Sequence, residues 1–275
     1  MKERPSIEIL ISTMNRTDLL FLKTLFPRHE FKKMNLLIIN QTKEKMLLHS
    51  DISNIRVINS SEFGLSKSRN LAIENAVGDI LVIADDDIEY LPGFENIILK
   101  AYERHSKVSL IHFQFLNEVN SLAKIYPIKE GSINSSKYYL SSIEMTFRRK
   151  QLIDSGIRFD ERFGLGARFV SNEEQIIKQQ LLNRKLEVIY IPQPICIHSG
   201  LTSANISAHR KNTEAMAAYK YLIYGFGTYL WLVKYVLFLY RNKFIKGSEI
   251  TKFYQFGSKA IGYMKNTAND NSSED

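Results

Sequence analysis

Three adjacent carboxylates, Asp85, Asp86 and Asp87, close an apolar run that begins at Ile80. Like charges placed side by side repel one another, and a hard cation taking oxygen ligands is the partner that best keeps them ionised. The run Ile80 to Ala84 has the length and composition of a buried strand. Carboxylates at the C-terminal end of such a strand lie where open parallel sheets bind ligands. Taken alone, the three aspartates could equally form a solvated turn or cap the next helix. The flanks favour a ligand site. Upstream, Ser66 can cap a helix through Leu71, Ala72, Ala76 and Val77 that Gly78 stops, with Arg69 and Asn70 near its start. Downstream, Pro92 opens a second helix carrying Phe94, Ile97, Ile98 and Ala101 on one face.

The elements around this stretch alternate. Ile7 to Ser12, Leu36 to Ile39, Ile55 to Ile58 and Val108 to Phe115 read as strands, and Asp18 to Phe26 as a helix capped by Thr17 or Asp18. Such alternation argues for a mainly parallel α/β sheet wound with helices. In the second half, Ser142 to Phe147 reads as a strand, Lys150 to Ser155 as a short helix and Glu173 to Arg184 as a longer one. Val188 to Ile191 reads as a strand stopped by Pro192 and Pro194. The expected organisation is one α/β domain over 1–205, a helical segment over 206–265 and a disordered polar tail over 266–275.

Gly64, Arg69, Asn70, Gly78, Asp79, Asp85 and Asp87 fall at the spacing of a G…RN…GD…D-x-D pattern. In this register the chain resembles the family 2 glycosyltransferases over roughly residues 5 to 200. The resemblance implies the GT-A (Rossmann-like) fold, a nucleoside-diphosphate sugar as donor, with a UDP-sugar favoured, and a divalent cation, Mn2+ or Mg2+. It implies that Asp85 faces the ribose and the metal's water shell, and that Asp87 ligates the metal. Asp86 and Arg69 would lie against the nucleotide. Ser12-Thr13-Met14-Asn15-Arg16 resembles the family's P-x-Y-N-R element, with Ser12 and Met14 replacing the proline and the aromatic. Thr13, Asn15 and Arg16 therefore join the donor-binding set. Asn40 stands where the family has the aspartate that pairs with the base edge, and its amide offers both a donor and an acceptor. As a bland alternative, Asn40 is a turn residue.

Phe159 to Leu182 resembles the family's F-D-E-R-F-G-x-G…E-D…R-L-L block, with Glu173-Glu174 in place of Glu-Asp. By register Glu174 takes the place of the catalytic base, with Glu173 as its rival. Ser171-Asn172-Glu173-Glu174 is also a capping-box pattern, which would give Glu174 a structural role instead. His198 follows the last strand, where many family members place a histidine near the metal. A loop histidine held by hydrogen bonds is the alternative.

The chain has 275 residues, 44% of them hydrophobic, and a net charge of +8. A basic balance implies an anionic partner. The excess lies between Arg210 and Lys265, where ten basic side chains face only Glu214 and Glu249. The same region holds YKYLIYGFGTYLWLVKYVLFLY. The uncharged stretch between Lys220 and Lys234 falls short of the ~20 residues a membrane span needs. It fits an interfacial helix with aromatics at headgroup level, or a hairpin packed on the domain or on another subunit. A nucleic-acid partner is not expected, because no recognition motif accompanies the basic residues. One cysteine, Cys196, excludes an internal disulfide and fits a reducing compartment. The charged N-terminus lacks a signal-peptide core. Together these features predict a cytoplasmic protein, peripheral on the inner face of the membrane. The resemblance to family 2 glycosyltransferases implies an inverting, metal-dependent transferase acting on a glycan or lipid-linked acceptor in cell-surface polysaccharide synthesis. Two rivals are a sugar-phosphate nucleotidyltransferase and a non-catalytic binder of the same fold. The former calls for a Gly-rich, Arg-containing loop after the first strand, which Ser12 to Arg16 lacks.

Overall fold

The computed structural model describes residues 4–43, 46–134, 138–198 and 210–270. It divides into two compact units, Met1–Asp160 with Glu174–Gly200, and Glu161–Glu173 with Leu201–Asp275. The expected boundary at 205/206 and residues 271–275 of the tail lie outside the described residues.

The first unit is built on a sheet whose first half is parallel. β1 (Ile7–Met14), β2 (Leu36–Gln41), β3 (Ile55–Ser60) and β4 (Ile80–Asp85) pair in the order β3-β2-β1-β4. α1 (Leu22–Leu25) lies between β1 and β2, and α2 (Leu65–Asn75) between β3 and β4. The register sets Ser12 beside Asp85 and Thr13 beside Asn40, so the strands end together. The second half is mixed. β5 (Ile88–Tyr90), α3 (Phe94–Arg104), β6 (Leu110–Leu116), β7 (Gly131–Ser132), β8 (Met145–Arg148), α4 (Arg149–Asp154), α5 (Glu173–Asn183) and β9 (Val188–His198) follow in chain order. β8 runs antiparallel between β4 and β6, β9 runs parallel to β6, and β5 pairs antiparallel with β9 at the edge.

Side chains alternate across a strand, so each strand feeds two cores. Ile9, Ile11, Ile38, Val82 and Ala84 pack on one face with Phe26, Tyr90 and Phe94. Leu10, Leu37, Ile39, Leu81 and Ile83 pack on the other with Ile73, Leu152, Phe159 and Leu181. Each such side chain contributes roughly 1.5–3 kcal/mol when fully buried. The Gly78-Asp79 pair locks β4 against the start of β1. Glu8 is buried, and its Oε2 accepts the Gly78 amide at 2.8 Å while Arg56 donates to Oε1 at 2.6 Å. A Cβ on Gly78 would come within 2.6 Å of the Glu8 Cβ, so this close approach demands glycine. Asp79 Oδ2 accepts both the amide and the hydroxyl of Ser6 at 2.8 Å.

Several local expectations are corrected. Gly64, at φ 136°, is the N-cap of α2, and Ser66 is a buried residue inside the helix. α3 starts at Phe94, two residues beyond Pro92, because Pro92 and Gly93 form a turn in which Gly93 takes a left-handed φ of 78°. The helix expected over Asp18 to Phe26 is confined to Leu22–Leu25. Pro192 and Pro194 do not stop β9, which continues to His198. They sit where the β6–β9 register shifts around Gln114, so the irregular ladder tolerates their missing N–H groups. Ser142–Glu144 is a 3-10 turn with a Ser141/Glu144 capping box, ahead of β8 rather than part of it.

The second unit contains three helices, α6 (Arg210–Tyr224), α7 (Thr228–Arg241) and α8 (Ile250–Asp270). α8 extends through Asp270, past the expected start of the tail at Asn266. Thr228, Leu232, Val236 and Leu239 form the buried face of α7 at helical spacing. A Cβ on Gly257 of α8 would clash with Leu232, so that glycine admits the close α7–α8 approach. Residues 161–173 belong to this unit. Phe163 packs on Phe169 at 4.9 Å, and Phe169 meets Tyr263 edge-on at 5.7 Å.

Candidate active site

The C-terminal ends of β1, β2 and β4 gather most of the residues singled out above. Asp86 Oδ2 accepts hydrogen bonds from the Thr13 hydroxyl and from Arg16, whose Nη2 lies at 2.8 Å. The guanidinium of Arg16 also covers the Phe21 ring at 5.0 Å. Asn15 takes a left-handed φ of 55° and receives a bond from the Thr42 hydroxyl. Thr13, Asn15, Arg16 and Asp86 thus form one polar rim.

Asn40 lies beneath this rim and not on it. It is fully buried, its Oδ1 accepts the Arg16 amide at 3.0 Å, and its Nδ2 serves Arg16 O, Met46 O and Asn59 Oδ1. These bonds make Asn40 a clamp that shapes the 15–16 turn. Gln41, without a role in the sequence reading, does similar work by accepting the Gly64 amide at 2.7 Å.

Arg69 is likewise engaged within the protein. It is 1% exposed, stands over the Phe159 ring at 5.5 Å and donates to Asp85 Oδ1 at 2.9 Å. It therefore tethers Asp85. Ser142 donates to the other oxygen, Oδ2, at 3.3 Å. Asn70 holds the next layer, because its amide exchanges two hydrogen bonds with the backbone of Phe159, at 2.9 and 3.0 Å. The Arg-Asn pair thus joins the carboxylate cluster to the chain that leads toward Glu173 and Glu174.

Asp87 and His198 form the second cluster. β5 pairs Ile88 with His198, which sets His198 Nε2 3.3 Å from Asp87 Oδ2. The hydrogen bond from His198 holds the Asp87 carboxyl below the usual carboxylate range, and the same bond pushes the imidazole up. A cavity of about 330 Å³ opens beside Asp87, lined also by Thr24, Arg28, Glu89 and Glu118.

The donor chemistry of this pair fits a divalent cation. A hard ion such as Mg2+ uses one or two carboxylates together with substrate phosphates and keeps several waters, with no need of an all-protein cage. Asp87 offers a carboxylate and His198 an imidazole. Asp85 is held beside them, one oxygen accepting from Arg69 and the other from Ser142. Among the described residues no group of three His, Cys, Asp or Glu side chains is gathered around one point.

Glu174 is the second residue of α5 and half-buried, next to Glu173, which is 4% exposed. Asn172 precedes the helix at φ 82°, which leaves Ser171 one position ahead of the N-cap and shifts the capping-box register. The start of α5 is anchored to the segment that reaches Asp85, because Gln175 Nε2 donates to Leu140 O at 2.9 Å. That segment is itself held by a buried network absent from the sequence reading. The Glu144 carboxylate accepts from Tyr126, from His112 Nε2 at 2.8 Å, from Lys124 at 2.6 Å and from the Ser141 amide at 3.0 Å. Burial alone would raise the Glu144 pKa, but His112 and Lys124 outweigh burial and hold it below the usual range. Burial pushes the His112 imidazole below its ordinary value against the pull of Glu144, and its Nδ1 faces the Tyr138 hydroxyl at 3.4 Å. The S-x-x-E spacing of Ser141 and Glu144 was the available signal for this turn. Cys196 is buried, as a small apolar residue would be.

Comparison with known proteins agrees with this architecture. The profile of "Glycosyl transferase family 2" matches residues 40–174. A Haemophilus influenzae protein described as uncharacterized is 28% identical over 148 residues, covering 47% of this chain and 79% of that one. Crystal structures of S. aureus TarS 1-349 superpose with a TM-score of 0.54 at 12% identity, covering 98% of this chain and 92% of that one. Equivalent matches are found to TarS 1-349 in complex with UDP-GlcNAc (TM-score 0.54, 11% identity) and with UDP (TM-score 0.52, 12% identity). At that identity TarS shows a shared GT-A fold. Residues 40–174, just under half of the chain, are similar to glycosyltransferase family 2, and the chain is a glycosyltransferase.

Proposed function

We propose that this glycosyltransferase is inverting and metal-dependent. It moves a sugar from a nucleoside diphosphate, a UDP-sugar in our reading, to a hydroxyl of a lipid-linked glycan in cell-surface polysaccharide synthesis. The observation that carries this reading is the pair Asp87–His198 beside the Arg69-tethered Asp85, at the strand ends next to the Thr13–Arg16–Asp86 rim. Binding of UDP-GlcNAc and UDP by TarS, which shares the fold, supports a nucleotide-sugar donor.

In this mechanism the rim residues Thr13, Asn15 and Arg16 hold the nucleotide, and Asp85 is kept in place by Arg69 and Ser142. Asp87 and His198 would hold the divalent ion, which when bound supplies positive charge against the departing diphosphate. Glu174 takes the proton of the acceptor hydroxyl. The hydroxyl oxygen forms a bond to the anomeric carbon as the bond to the diphosphate oxygen breaks on the opposite face, so the configuration inverts. The nucleoside diphosphate leaves with the bonding pair.

The reading is tested by thermal unfolding with a panel of nucleoside diphosphates and nucleotide sugars, each with Mn2+ or Mg2+ and with chelator. Binding to the folded state raises apparent stability by an amount set by concentration over Kd. A metal-dependent rise with at least one uridine nucleotide is expected. No rise with any member of the panel would contradict the proposal.

A further inference from the structure

The helical unit holds a surface that the catalytic reading leaves without a role. The outward side of α7 and the turns at its ends expose Phe226, Leu230, Val233, Leu237, Phe238 and Phe244. Leu230 and Phe226 are each two-thirds exposed. Leu230, Val233 and Leu237 are spaced by three and four residues, so they lie in one stripe. The opposite side, Leu232, Val236 and Leu239, is already buried, so packing within the unit does not explain the stripe. Lys234 and Arg241 border it, and Lys243 and Lys246 follow in the turn after α7; all four are exposed. Trp231 and Tyr235 stack at 4.9 Å along its edge.

We infer that this face docks on an anionic lipid surface, lying in the headgroup region with the aliphatic stripe inserted. Charge complementarity selects this occupant. A second copy placed on the same face would bring Lys234, Arg241, Lys243 and Lys246 against their own counterparts. An anionic bilayer neutralises them while their stems lie along apolar surface. Aromatic rings beside the stripe suit the interface, where an apolar body and a polar edge are both satisfied. The helical run Arg210–Arg241 is 32 residues, long and apolar enough by length and composition alone to cross a membrane. A crossing would strip the buried face of α7 from α8 and carry Lys220 and Lys234 into the hydrocarbon, whereas docking in the interface does neither. The cytoplasmic leaflet, rich in anionic lipid, supplies such a surface. This inference is independent of the donor, the metal and the catalytic base.

The test is cosedimentation of the full-length chain with phosphatidylglycerol/phosphatidylcholine vesicles and with pure phosphatidylcholine vesicles, at low and high salt. We expect binding to the anionic vesicles at low salt, weaker binding to the neutral ones, and release as salt rises. Leu230→Ser with Leu237→Ser should lower binding about tenfold or more with unchanged circular dichroism, since both side chains are exposed. Replacing Lys234, Arg241, Lys243 and Lys246 by Gln should lower it by about 1000-fold. Three results would overturn the inference: indifference to both vesicle types, equal binding to both, or binding that survives the face substitutions. A concentration-dependent dimer that the Leu230→Ser/Leu237→Ser protein loses, without vesicle binding, would assign the face to a second copy instead.

Discussion

Asp87 and His198 are separated by 111 residues, yet their side chains meet at 3.3 Å because three residues of β5 pair with the last three of β9. The edge ladder therefore builds the carboxylate–imidazole pair, and the D-x-D motif alone does not. Asp87→Ala should abolish transfer and remove metal-dependent stabilisation by the donor, while circular dichroism and the unfolding midpoint without ligand change little. The side chain is exposed, so its loss leaves no core void. Full turnover of Asp87→Ala at ordinary metal concentration would remove Asp87 from the metal site.

Glu144 anchors the loops behind Asp85. Its replacement by Gln keeps the shape but removes the charge that Lys124 faces across 2.6 Å. Breaking a buried pair on one side is costly, and we expect a loss of about 3 kcal/mol in urea unfolding. A change below about 1 kcal/mol would mean that the network is not a clamp on residues 141–144.

Asp79 gives the fold an acid-sensitive tie. The hydrogen bond from the Ser6 amide, with help from the Ser6 hydroxyl, holds the Asp79 carboxyl below its ordinary value. A depressed folded pKa contributes stability above the unfolded value, near 4, and loses it as pH falls through the folded value. The stability gap between the native protein and Asp79→Asn should therefore be full at pH 6 and narrow below about pH 4. A gap that stays constant from pH 6 to pH 3 would deny the linkage.

Much of the first half of the fold was legible because its signals are local. Short apolar-rich runs with polar C-terminal ends, the last one preceded by Gly78, specify β1, β2 and β4 and the cluster at Asp85 to Asp87. Roles that depend on distant partners were not legible. Arg69 and Asn40 carry polar side chains that suit a ligand as well as a protein contact, and only burial assigns them to Asp85 and to the 15–16 turn. β5 is three residues long, too short for a period to show, and its partner strand lies a hundred residues away. Pro192 and Pro194 misled because the strand rule assumes a regular ladder, and β9 bulges at that point.

The account stands or falls on Glu174 as the base of a sugar transfer. Its most direct test is donor consumption in the presence of acceptor glycan and metal, for the native protein and for Glu174→Gln. Glutamine keeps the size and hydrogen-bonding capacity of the side chain but cannot take the hydroxyl proton as a carboxylate does. Turnover should fall by roughly 10²-fold or more, the scale of a lost general base, with donor affinity and unfolding midpoint preserved. Unchanged turnover at normal stability would contradict the account and shift the role to Glu173.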